Sequence, residues 1–203
     1  MTATANSADI VIADTQAWLE RAVIGLNLCP FAKSVHVKGQ VHYAVSQATD
    51  ATDLLVDLKF ELKQLVAIDA KARDTTLLIA PHCLQDFLDF NDFLAKADRA
   101  LAKLRLDGVL QIASLHPQYQ FADAAEDDVT NFTNRAPYPT LHLLREDSID
   151  RAVAAFPNAE SIFEVNMQTM ERLGREGWTA LNLGATPARA SDMASSDDDK
   201  QKT

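Results

Sequence analysis

Apolar residues along this chain switch between helical and strand spacing several times. From Asp9 to Leu28, Trp18, Leu19, Val23 and Leu26 recur on one helical face. Pro30 closes that helix, because the residue before a proline is pushed out of the helical region. Val35 to Val45 alternates apolar and polar residues like a half-buried strand. Gly39 weakens its first half, which places the strand at 40–46 and leaves 33–38 as a lead-in. Val41, Tyr43 and Val45 then face inward, and Gln40, His42 and Ala44 outward. Thr52 to Ala70 reads as a helix burying Leu55, Leu58, Leu62 and Leu65. Thr75 to Ala80 is a short apolar strand closed by Pro81. Leu84 to Leu104 is a third helix, with Phe87, Phe90, Leu94, Ala97, Leu101 and Leu104 at spacings of three and four. After an Asp107-Gly108 turn, Val109 to Leu115 is a third strand.

Periodicity then stops from His116 to Tyr138. Structureless loops beyond about 12–15 residues are uncommon and usually functional or disordered. Tyr119, Phe121, Phe132 and Tyr138 are too many aromatics for a disordered linker, so this is expected to be an ordered site loop with a helical turn at Asp127 to Asn131. Thr140 to Arg145 is a fourth strand. A short helix follows at Ser148 to Phe156, capped by Asp147, and Pro157 interrupts it. The last helix runs from Ala159 to Leu173, ended by Gly174 and Gly177, with Trp178 docking the exit onto the body. Residues 1–8 and the acidic tail 186–203 read as disordered, which leaves 9–185 as one domain. Two consecutive strand-helix-strand units imply parallel strands with right-handed crossovers. The expected fold is α/β, a mixed sheet of about four strands with helices packed on it.

Composition narrows the function classes. A net charge of −10 opposes a phosphate backbone, so nucleic acid is not an expected partner, although part of the charge sits in the tail. No apolar run reaches membrane-spanning length, and the N-terminus lacks a secretory pattern. Cys29 and Cys83, without an export signal, fit free thiols in the cytoplasm. The six glycines form no phosphate-binding loop, and no cofactor is expected.

Candidate chemistry gathers in two clusters, His116 to Phe121 and Asn131 to Glu146. Ligands of open α/β sheets bind beyond the carboxyl ends of the parallel strands. His116 ends the third strand, and an antiparallel fourth strand would begin at the same edge. His116 is a candidate acid/base, or alternatively a strand cap. Arg135 offers a planar fork for carboxylate or phosphate, with Asn131, Asn134 and Gln118 as further ligand-binding groups. Its alternative role is to pin its own loop through backbone carbonyls. Pro137-Tyr138-Pro139 aims the loop, and Tyr138 can assist proton transfer. Strand parity puts His142 and Leu144 on one face and Arg145 on the other, where an ion pair with Glu146 is expected. Cys29 is an optional nucleophile or a small buried hydrophobe. Cys83, near a helix start and beside His82, is a weaker candidate. His36 and His42 lie too far apart along a strand to share one ion, and no metal-ligand spacing motif is present.

Several stretches resemble a bacterial family known as domain of unknown function 1415. They are Gly25 to Ala32 (GLNLCPFA), Asp86 to Leu94 (DFLDFNDFL), Gln111 to Ala122 (QIASLHPQYQFA) and Asn131 to Glu146 (NFTNRAPYPTLHLLRE). The resemblance spans about residues 10–178 and brings no activity with it. It associates Cys29, His116, Asn131, Asn134, Arg135, Tyr138 and His142 with the family pattern and leaves Cys83 outside, which favours Cys29 over Cys83. Three readings follow. One is an enzyme acting on a small anionic molecule through His116, His142, Cys29 and Tyr138. Another is a non-catalytic ligand-binding or interaction domain. The third is a metal enzyme built from Cys29, His116 and His142. The first requires His116 and Arg135 to share one hollow.

Overall fold

A computed structural model describes residues 7–155 and 161–185. Two of its long helices start where aspartates cap them. The Asp50 carboxylate accepts from the backbone N–H groups of Thr52 and Asp53, and that of Asp86 from those of Leu88 and Asp89. Each satisfies two of the orphan amides at a helix start. These caps open α3 (Ala51–Ala67) and α4 (Phe87–Lys103). Before them come α1 (Ser7–Trp18), extended by a π-helical segment at Leu19–Ile24, α2 (Ala32–Val37) and β1 (Val41–Val45). β2 (Thr75–Ile79) lies between α3 and α4. After α4 come β3 (Leu110–Leu115), a 3-10 segment at Val129–Asn134, β4 (Thr140–Arg145), α5 (Glu146–Ala155) and α6 (Ile162–Ala180).

The sheet has four strands in the order β1-β2-β4-β3. β1 and β2 pair in parallel, while β4 runs antiparallel to both of its neighbours. The three strands of the strand-helix-strand units thus share one direction, and β4 is inserted between the last two. This is the α/β domain with a mixed sheet that the pattern predicts. One face carries Leu78, Leu110, Leu141 and Leu143 against Leu58, Leu62, Phe90 and Phe93 of α3 and α4. The other carries Leu77 and Ile79 against Val11, Trp18, Leu19 and Ala22. The buried side chains thus form three layers, helix on sheet on helix. A smaller cluster of Leu28, Phe132 and Met170 joins the 3-10 segment to α6, and Trp178 stacks on Phe132 with ring centroids 5.2 Å apart. No described helix is long and apolar enough to cross a membrane.

Several local expectations are corrected. The entry segment before the strand is a helix over Ala32–Val37, and Gly39, at φ 66°, turns the chain into β1. The first helix changes to π-helical hydrogen bonding at Leu19 instead of continuing evenly to Leu28. α5 follows β4 without a loop, so Asp147 sits in its first turn and is not its cap. Gly174, at φ 63° and ψ 179°, breaks the last helix where expected, but a second helical segment continues through Gly177 to Ala180. The start of that helix at Ala159 and the break at Pro157 lie outside the described residues, as do both tails.

Candidate functional site

The 116–139 loop is ordered, and its polar side chains are spent on the loop itself. His116 is fully buried between the rings of Phe87 and Phe90. Its Nε2–H donates to the Leu84 carbonyl at 3.1 Å, and its Nδ1 accepts from the Gln118 N–H at 3.0 Å. Burial lowers its pKa, so the ring is a neutral strap tying β3 to the start of α4. Asn131, also fully buried, accepts from the Phe121 N–H and donates to the Ala125 carbonyl. Arg135 donates to the carbonyls of Tyr119 and Glu126, and its guanidinium lies 4.5 Å over the Phe132 ring. Tyr138 is buried and donates to the Asp14 carboxylate at 2.6 Å. Gln118 is exposed. The alternative roles foreseen for His116 and Arg135, strand cap and loop pin, are the ones these bonds describe. Arg135→Ala should therefore cost about 2–3 kcal/mol, from two charge-assisted bonds and a cation–π contact, read as a lower urea midpoint. An unchanged midpoint would contradict the pinning role.

The hollow lies elsewhere. A cavity of about 820 Å³ opens on the face of the sheet that carries Leu77, His142 and Leu144. Trp18 and Leu19, the turn through Cys29 and Phe31, α2 and α5 enclose it. The cause is local. α5 grows straight out of β4 and buries none of its residues fully, so it walls the sheet without filling the space beneath it. Neither His116 nor Arg135 lines this cavity.

His142 stands on its floor. The Nε2 of His142 is 2.8 Å from Thr75 Oγ1, and that hydroxyl is 2.7 Å from the Leu143 carbonyl. Burial pushes the imidazole pKa down from 6.5 to about 4, so the ring is neutral at pH 7. One end of the cavity is polar. Lys38, Lys71 and Arg151 line it and have no carboxylate partner among the described residues. Asp74 there accepts from the Ser148 hydroxyl at 2.6 Å, and Arg151 donates to the same hydroxyl at 3.0 Å. This end lies where β1 and β2 begin and β4 finishes, not at the carboxyl edge of the parallel strands.

A family model described as protein of unknown function (DUF1415) matches residues 10–180. The chain belongs to the DUF1415 family. No curated protein and no solved structure matches it. Every residue lining the cavity of this DUF1415 domain falls inside the matched range.

Of the residues singled out from the sequence, the cavity brings together Cys29, Asn134 and His142. It leaves out His116, Gln118, Asn131, Arg135 and Tyr138. The metal set Cys29, His116 and His142 is not assembled. His116 packs on α4 with both ring nitrogens occupied, and among the described residues no three His, Cys, Asp or Glu side chains are placed to hold an ion. Cys83 is buried against α3 and α4, and burial raises its pKa. Arg145 donates to the carbonyls of Leu65 and Ile68 at the end of α3 and of Arg73 just before β2, which replaces the expected pair with Glu146. The cavity also takes in Thr75, Lys38, Lys71 and Arg151, which no sequence motif marks. Parity along β2 and β4 would place Thr75 beside His142, but only once β4 is known to insert next to β2.

Proposed function

We propose that this DUF1415 domain binds a small organic anion with an apolar body in the sheet-face cavity. The carrying observation is the cavity itself. Its volume of about 820 Å³ is of the size that holds small ligands, typically about 300–1,000 Å³. Trp18, Leu19, Phe31, Leu77 and Leu144 supply apolar walls, and Lys38, Lys71 and Arg151 put positive charge at one end of an otherwise acidic chain. Asn134 adds a polar side chain to the lining. The two free cysteines support a cytoplasmic location.

Catalysis is the second reading, and one observation favours it: His142 and Cys29, an imidazole and a thiol, share the cavity. No hydrogen bond joins the two side chains, and His142 Nε2 is taken up by Thr75 Oγ1, which makes binding the better-supported conclusion.

Thermal shift with acetate, octanoate and phenylpropionate tests the reading. Octanoate and phenylpropionate should raise the melting temperature saturably, and acetate should not. A ligand at about 100 times its Kd adds about 2.7 kcal/mol to stability, well within detection. The shift should shrink in the triple variant Lys38→Glu/Lys71→Glu/Arg151→Glu. No saturable shift, or one indifferent to those charges, would overturn the proposal. Consumption of a bound acid by the wild type but not by His142→Phe would move the conclusion to the enzyme.

A further inference from the structure

The hydrogen-bond chain at the cavity floor has only one consistent arrangement of protons. Thr75 has a single hydroxyl hydrogen, and the Leu143 carbonyl 2.7 Å away can only accept. That hydrogen therefore belongs to the Leu143 bond, and Thr75 Oγ1 accepts from His142 Nε2–H across 2.8 Å. A neutral imidazole has one N–H, so Nδ1 bears the lone pair. No donor among the described residues meets Nδ1. It is also absent from the buried side-chain atoms without partners, which are Tyr43 Oη and Arg145 Nε, so it is reached from the cavity. The opposite tautomer would set Thr75 Oγ1 the impossible task of donating to Leu143 and to Nε2 with one hydrogen.

We infer that the occupant is a hydroxylated carboxylic acid, its hydroxyl donating to His142 Nδ1 and its carboxylate meeting Lys38, Lys71 and Arg151. This rests on the binding proposed above and adds the ligand's polarity at the floor. The spacing fits such a molecule. His142 pairs with Leu77, and the Thr75–Leu144 pair, on the Lys71 and Asp74 side of it, lies two residues along β2, a backbone separation of about 7 Å at about 3.3 Å per residue. A single ring between hydroxyl and short acid chain spans that distance, and Trp18 and Phe31 present aromatic surface to it. A ligand that set only carbon against Nδ1 would strand an acceptor, which sites of this kind reject. Burial keeps the ring unprotonated through the neutral range, so the acceptor persists there.

Isothermal titration with para-hydroxyphenylpropionate, phenylpropionate and para-methoxyphenylpropionate tests the inference. The hydroxylated acid should bind the wild type about tenfold or more tighter than the other two. His142→Phe should erase that preference. If all three bind equally, the hydroxyl inference falls and the binding proposal stands. If none binds saturably, both fall. A preference that survives in His142→Phe also overturns the inference. Nitrogen NMR of the unliganded wild type gives a readout independent of any variant's folding. Nδ1 of His142 should resonate as an unprotonated ring nitrogen and Nε2 as a protonated one, and the reverse would refute the arrangement.

Discussion

Glu61→Ala is expected to cost about 3–5 kcal/mol, read as a drop in the urea midpoint at pH 7, because it leaves a buried guanidinium without its counter-charge. Glu61 and Arg73 are 8% and 7% exposed, and Arg73 donates to the Glu61 carboxylate. Arg73 also donates through Nε and its terminal nitrogen to Thr76 Oγ1, at 2.9 and 2.7 Å. The pair ties α3 to the first residues of β2, under the edge where the cavity's polar end lies on the other side of the sheet. His42, 4.0 Å from the same carboxylate, has its pKa lowered by burial first and by Arg73 second, so it does not replace the guanidinium as partner. The double variant Glu61→Met/Arg73→Leu removes both charges and should recover most of the loss, since an apolar pair of similar volume is often neutral or better. A single variant that loses less than about 1 kcal/mol would show the pair to be hydrated like a surface bridge.

Glu61 also shows where hydrophobic patterning stops being informative. Leu58, Leu62 and Leu65 of α3 are buried as their spacing predicts, but Leu54 takes the place expected of Leu55, and a glutamate shares the stripe. A helical period cannot announce a buried carboxylate whose partner arrives from twelve residues downstream. The elements themselves were legible because α3 and α4 each carry an aspartate cap and an apolar face. The direction of β1, β2 and β3 followed from their crossovers. The helix before β1 is hidden in the sequence because Val35, Val37 and Val41 keep a period of two by chance across a glycine. Ala32–Val37 is short enough that helical periodicity has no room to appear.

The site was legible only in part, for a similar reason. Parity on β4 correctly separated His142 from Arg145, and the two lie on opposite sides of the sheet. The prominence of His116, Asn131 and Arg135 is explained by a loop with little regular hydrogen bonding of its own. Its carbonyls and amides must be satisfied by side chains, and those residues satisfy them. Polar residues concentrated in a long ordered loop are therefore as consistent with holding the loop as with holding a ligand. The cavity depends on the insertion of β4 and on how α5 leaves it, both of which are long-range facts.

Acidification should weaken the fold between about pH 6.5 and pH 4, and His142 should carry much of the slope. Its folded pKa of about 4 lies below the ordinary 6.5, from burial alone. In that interval the unfolded chain binds more protons than the folded one, so stability falls as pH falls and levels off for this group below about 4. A shift of that size corresponds to about 3 kcal/mol, and because the ring borders a cavity that admits water, about 2–3 kcal/mol is the expected loss. His116 and His42 are also lowered by burial and act in the same direction. The capping carboxylates Asp50 and Asp128 are depressed by backbone N–H bonds, so their contribution is present above the ordinary carboxylate pKa and is lost only at lower pH. The two windows are therefore separable. Urea midpoints measured from pH 7 to pH 4 should fall more steeply for the wild type than for His142→Phe, which has no proton to take up on unfolding. Parallel profiles would mean that His142 is hydrated enough to titrate normally, and the neutral acceptor at the cavity floor would then be lost below about pH 6.5 instead of persisting to about pH 4.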